Sequence, residues 1–165
     1  MEKVERRKAI RMTPAQAWEL LETTPNLALA TIGRDGYPHV VAMSFGVDNG
    51  DIVMTSYAKA QKVLNLQRDA RATVMAERGL AYNQLKGVMI RGHCELSEGA
   101  DAVIGVMRIL GKKMAKIAGG PAQSAGDAVL NNAAARSRAA KRVVIRFKPE
   151  RWASWDHSKL PAGTY

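Results

Sequence analysis

The chain has 165 residues, 47% hydrophobic and 24% charged, a balance that excludes a disordered or fibrous chain. Cys94 is the only cysteine, so no intramolecular disulfide can form, but a globule of this length buries roughly 70% of its unfolded surface and needs no staple. A net charge of +10 admits nucleic acid, an anionic membrane surface or an acidic small molecule as partner.

The basic residues are spread along the chain, and three Trp, four Tyr and two Phe are too few to stack bases along a strand. Nucleic acid is therefore disfavoured. Met1 to Lys8 is charged and carries no apolar run behind it, so no signal peptide is expected. No apolar stretch approaches the roughly 18 residues that span a bilayer. The expectation is a soluble, cytoplasmic protein without membrane attachment.

Thr13-Pro14-Ala15-Gln16 has the spacing of a capping box with proline at the first helical position, predicting a helix over 14–22 that ends before Pro25. Short β-like runs follow, divided by turn chemistry. Strands are predicted over 27–32, 38–47 and 52–56, with turns at Gly33–Gly36 and Asp48–Asp51; the Asn49-Gly50 step suits a tight hairpin. A short helix is predicted over 59–68, then strands over 72–77 and 87–96. From Ser97 a helix places Val103, Met107, Leu110, Met114 and Ile117 on one stripe with lysines opposite. An alanine-rich segment over 126–140 reads as a second helix, so 98–140 forms a helical insertion. Val143, Ile145 and Phe147 alternate with polar residues in a final strand, 142–148. The order is an antiparallel meander in one domain, 1–165.

Few side chains suggest chemistry of their own. His39, His93, His157 and Cys94 lack ligand-type spacing, and His93 and Cys94 are neighbours that a strand turns to opposite faces; no metal site is expected. Ala42–Gly46 lacks the first glycine of a nucleophile elbow and lies within a strand. Glycine-rich dinucleotide and phosphate loops are absent, and no carboxylate pair stands out. No residue is therefore assigned a catalytic role, and the reactive group of an enzyme here would be a bound cofactor.

One stretch does point to a ligand. In Ile52–Leu66 (IVMTSYAKAQKVLNL) a strand ends in Thr55 and Ser56, the chain turns, and a helix opens with Lys59 and Lys62 in its first turn. Helix N-termini attract anions through free N–H groups and the helix dipole. Lysines there suit a phosphate that compensates both.

The run IVMTS followed by QKVLNLQRDARATV, with LKGVMIRGHCEL (85–96) and RWASWDHSKL (151–160), resembles the pyridoxamine 5'-phosphate oxidase-like split-barrel proteins, and more closely their flavin/deazaflavin-dependent oxidoreductase branch. The resemblance implies a mainly β fold with helices, a six-stranded antiparallel split β-barrel. It implies a homodimer with the cofactor at the subunit interface: FMN, with coenzyme F420 as alternative and haem as a further one. Val40, Val41, Ala42 and Met43 would lie along the flavin ring, Thr55 and Ser56 by the ribityl chain or phosphate, and Lys59, Gln61 and Lys62 at the phosphate. Gly87 occupies the position of a glutamine in the oxidase itself, Val40 that of an arginine, Phe45 that of a substrate-contacting lysine, and Gln61 that of the phosphate-binding arginine. Lysine cannot replace the bidentate contacts of the lost guanidinium. The expected activity is hydride transfer to a small unsaturated organic substrate rather than pyridoxamine phosphate oxidation, with substrate walls at 78–85 and 111–126. The alternative is a haem- or flavin-binding module without turnover, in which His39, His93 or His157 would matter.

Overall fold

Residues 3–120, 130 and 132–161 are described by the computed structural model of the chain. A short helix α1 (Lys3–Ala9) leads into α2 (Pro14–Thr23). The Gln16 amide donates to the Thr13 hydroxyl and the Thr13 amide to Gln16 Oε1, a reciprocal cap worth about 0.5–2 kcal/mol. The apolar side of α2, Ala17, Leu20 and Leu21, is buried.

Seven strands follow: β1 (Asn26–Ile32), β2 (Pro38–Ser44), β3 (Gly46–Asp48), β4 (Asp51–Tyr57), β5 (Arg71–Arg78), β6 (Lys86–Ser97) and β7 (Arg142–Asp156). They form one antiparallel sheet in the order β2-β1-β5-β6-β7-β4-β3. Helix α3 (Gln61–Arg68) lies between β4 and β5, and α4 (Ala100–Ile117) and α5 (Ala133–Ala139) between β6 and β7.

The count of seven, against six expected, comes from one break. The run predicted as a single strand over 38–47 changes partner at Phe45: up to Ser44 it pairs with β1, and from Gly46 with β4. β2 and β3 are the two ends of the sheet, so one continuous run joins its edges and curls it into a split barrel. Phe45, 1% exposed, points into the core at the break. Full burial of such a side chain is worth roughly 1.5–3 kcal/mol. The hairpin into β4 turns on Asn49 (φ 51) and Gly50 (φ 83), both in the left-handed region that a two-residue primed turn requires.

The last strand runs far beyond the predicted 142–148 because Pro149 does not end it. Gly92 lies opposite Pro149 and Arg91 opposite Arg151, leaving Glu150 as an extra residue in a bulge. The bulge presses the strands together: a Cβ on Gly92 would collide with the Lys148 carbonyl oxygen.

The barrel interior is one cluster that includes Leu27, Leu29, Met43, Ile52, Met54, Val74, Ile90, Cys94, Ile145 and Phe147. α2 runs into the start of β1, and α3 covers the other end, with Val63 and Leu66 buried. A second cluster joins α4 and α5 to the outer face of β4 and β7 through Val53, Val103, Ile104, Val106, Ala139 and Val144. In α4 the expected stripe is corrected. Val103 is buried and Met107 and Leu110 pack partly, but Met114 is 42% exposed and Lys113 is buried in its place. The helix has rotated so that a lysine faces inward. Of the alanine-rich 126–140, only Leu130 and residues 132–140 are described; 126–129 and 131 lie outside the described residues.

Candidate functional site

The corner where β4 hands over to α3 is built from two elements that end side by side. β4 closes with half-buried Thr55, buried Ser56 and exposed Tyr57, whose ring carries the Arg142 guanidinium 4.2 Å above it. A turn through Lys59 then leads to α3. Ala60 is the N-cap and supplies no side-chain hydrogen bond. Its carbonyl receives the Val63 and Leu64 amides, and no acceptor among the described residues takes the amides of Gln61 and Lys62. The Lys62 ammonium donates to Ser56 Oγ at 3.3 Å. None of the ion pairs among the described residues involves Lys59 or Lys62. An uncapped helix start, a hydroxyl and an unpaired ammonium together make an anion-binding donor set.

The expected site residues divide. Ser56 and Lys62 meet at this corner; Lys59 lies in the turn before α3, and Thr55 alternates with Ser56 along β4 onto the outer face that carries Val53 and Val144. Lys59 sits one residue before the N-cap, outside the first helical turn where the sequence placed it. Gln61 turns the other way. Its Nε2 donates to Asn65 Oδ1 at 2.8 Å, and it lines a cleft of about 410 Å³ with Gly33–Asp35 and Tyr37–His39 of the β1–β2 turn.

Along β2 the alternation separates the ring-contacting set. Val40 is 57% exposed and Ala42 exposed, while Val41 is half-buried against the core and Met43 lies within it. Only Val40 and Ala42 offer side chains outward; Val41 and Met43 can contribute backbone. Among the described residues β2 pairs only with β1, so alternate N–H and C=O groups point away from the sheet.

Gly87 is elsewhere in the chain. It pairs with Glu77 and Trp155, and a Cβ there would run into the Trp155 indole. Ser56 faces Val143 at the other end of β7, a strand path of about 40 Å at ~3.3 Å per residue.

Two residues escaped the sequence reading. Asn65, fully buried, donates from Nδ2 to Thr31 Oγ1 at 3.1 Å and so pins α3 to β1. A polar residue between the buried Val63 and Leu66 was the available signal. Lys113 is the other. It is 8% exposed, its Nζ has no hydrogen-bond partner, and it lies 3.0 Å from the Phe45 ring centroid. Burial pushes this amine down to about 7, against a weaker upward pull from Glu22. Its neighbours Lys112 and Lys116 in the sequence concealed it.

The three histidines lie apart. His93 Nδ1 is 2.6 Å from Glu150 Oε1, His157 Nδ1 is 3.0 Å from the Tyr82 carbonyl, and His39 lies on β2. No group of three or more His, Cys, Asp or Glu able to hold a metal occurs among the described residues. Burial pushes the Cys94 thiol up to about 12, which leaves it protonated and unreactive at neutral pH. Among the described residues no helix is long and apolar enough to cross a membrane. Of the expected substrate walls, Lys112, Lys113 and Lys116 do line a cavity, whereas 121–126 lie outside the described residues.

A broken strand that closes a seven-stranded antiparallel sheet, with helices over both ends, defines a split barrel. The chain belongs to the pyridoxamine 5'-phosphate oxidase family, whose sequence profile matches residues 12–156. It is similar to the conserved hypothetical protein Rv2991 from Mycobacterium tuberculosis, with 32% identity over 97% of this chain and 96% of that one and a TM-score of 0.79. An FAD- and heme-binding protein from Mycobacterium smegmatis shares the fold at 17% identity, over 87% of this chain and 70% of that one, with a TM-score of 0.67. An F420 reductase shares it at 22% identity, over 85% and 98% of the two chains, with a TM-score of 0.59. No curated protein matches the sequence significantly.

Proposed function

We propose that the protein is a flavin- or deazaflavin-dependent oxidoreductase that acts as a cytoplasmic homodimer on a small unsaturated organic substrate. FMN is the first choice of cofactor and coenzyme F420 the alternative. The observation that carries the reading is the Lys62 ammonium, held by Ser56 beside an uncapped helix start and without a carboxylate partner.

The residues present fit such a cofactor. Lys62, Ser56 and the first amides of α3 form the phosphate anchor, with Lys59 adding charge. Val40 and Ala42 offer an apolar outer face for a flat ring, and the free edge of β2 offers backbone groups to its carbonyls. Met43, buried in the core, anchors that strand to the barrel interior. The bound flavin would supply the hydride chemistry; the chain binds it, orients it and excludes water. Gln61, tied to Asn65, does not restore the fork-shaped phosphate contacts of an arginine, which supports an activity other than pyridoxamine phosphate oxidation. Gly87 could join the site only from the second subunit, since its own chain holds it at the far end of β7.

The haem reading stays the alternative: His93 and His157 each engage Nδ1 with a protein acceptor, which leaves Nε2 as the ligand atom a haem iron would need. The absorption spectrum of the purified protein, with FMN and F420 titrated into it, tests the proposal. A flavin or deazaflavin spectrum with saturable binding is expected. A protein that binds neither, or that shows a Soret band alone, would refute it.

A further inference from the structure

A cavity of about 340 Å³ opens between α4, α2 and β3, lined by Glu22, Val47, Ile109, Lys112, Lys113 and Lys116. Lys113 is its unusual wall. It is more than nine-tenths buried, its Nζ has no hydrogen-bond partner, and it rests on the Phe45 ring instead. An ammonium removed from water and left without a counter-charge is costly. The one carboxylate among the lining residues relieves it only weakly, because Glu22 Oε2 accepts from Lys116 Nζ at 3.3 Å. Lys112, exposed on the same helix, has no ion-pair partner among the described residues. Burial holds the Lys113 amine down at about 7, so an arriving anion would both find its charge and stabilise it.

The walls also say which anion. Val47 and Ile109 give the cavity an apolar side, which suits an organic body rather than a bare inorganic ion. Glu22 at the rim opposes a dianion such as phosphate, since like charges repel at this range. Lys113 has a flexible four-carbon stem with three donors, long enough to turn its amine from Phe45 into the cavity.

We propose that this cavity binds a small amphipathic monocarboxylate, its carboxylate taken by Lys113 and Lys112 and its apolar body set against Val47 and Ile109. The site is separate from the α3 corner and rests on nothing proposed for the cofactor.

Benzoate and its neutral counterpart benzamide are the probes, titrated into the full chain and followed by amide NMR shifts. Benzoate should shift Val47, Ile109 and the 112–116 segment saturably, and benzamide should not. Lys113→Met keeps the apolar stem and should weaken benzoate binding at least about tenfold, as expected for loss of a hydrogen bond to a charged group. Equal shifts from the two probes, no saturable shift with benzoate, or unchanged affinity in a folded Lys113→Met variant would each overturn the proposal. The two-probe comparison on the unaltered protein decides the matter if the variant does not fold.

Discussion

Replacing Lys113 by methionine should stabilise the free protein, by an amount that depends on pH. The side chain keeps its length and loses only the amine, which has no hydrogen-bond partner in the fold. A fall from 10.5 to about 7 corresponds to on the order of 5 kcal/mol, at 1.36 kcal/mol per pH unit. The Phe45 ring face works the other way and favours the ammonium by about 1–2 kcal/mol when desolvated. The net penalty in the natural protein at pH 7 is therefore about 3 kcal/mol. Its sign follows from proton counting. Between roughly pH 7 and 10.5 the unfolded lysine carries a proton that the folded one has partly given up, so stability rises with pH across that window. Urea unfolding at fixed protein concentration, at pH 7 and pH 10, reads it directly. Lys113→Met should be the more stable protein by about 3 kcal/mol at pH 7, with most of the gap gone at pH 10. A variant no more stable at pH 7, or a gap that ignores pH, would show that the amine is not held as described.

Other perturbations reach different parts of the molecule. Lys62→Ala should weaken FMN binding by about 1.5–3 kcal/mol, the range for hydrogen bonds to charged groups, with an unchanged melting temperature; equal affinity in a fluorescence titration would remove Lys62 from the anchor. Gly92→Ala should cost more than about 2 kcal/mol in thermal unfolding, because its methyl meets the Lys148 carbonyl across the bulge. For Asp51, burial acts to raise the carboxyl, but hydrogen bonds from Lys148 and Arg146 outweigh it and hold it below its ordinary value of 3.8. Its contribution to stability should be complete above that value and vanish as pH falls through the lower folded one, so Asp51→Asn should trail the natural protein at pH 7 and converge with it in strong acid. Cys94 should resist a thiol-specific reagent at pH 8 until denaturant is added, since burial keeps its thiol protonated.

Much of the barrel could be read along the chain because its signals are local. The capping box at Thr13, the Asn49-Gly50 turn and the alternation of Val143, Ile145 and Phe147 each fix an element without help from elsewhere. The misreadings occur where a distant partner decides. Phe45 looks like the middle of a strand, and only the positions of β1 and β4 reveal that the chain changes neighbour there. The alternation that predicts the last strand fades after Phe147, and only Gly92, with no side chain, makes room for the bulge that carries the strand on. Lys113 follows helical periodicity onto a face that its charge argues against, and the ring that receives it comes from residue 45.

The candidate site was legible at the same depth. Ser56 and Lys62 lie six positions apart and are brought together by one turn, so their meeting could be foreseen. The β2 residues could be named as a run but not sorted, since which of Val40 to Met43 face outward depends on the sheet they join. Gln61 and Gly87 were placed by likeness to a family. One is engaged by Asn65 within its own helix, and the other lies a barrel length from the corner.

A crystal structure of the protein with FMN bound tests the reading at its root. The phosphate should lie within hydrogen-bonding distance of Lys62 Nζ and Ser56 Oγ at the start of α3, with the ring against Val40 and Ala42. FMN seated elsewhere while that corner keeps only its own side chains would contradict it.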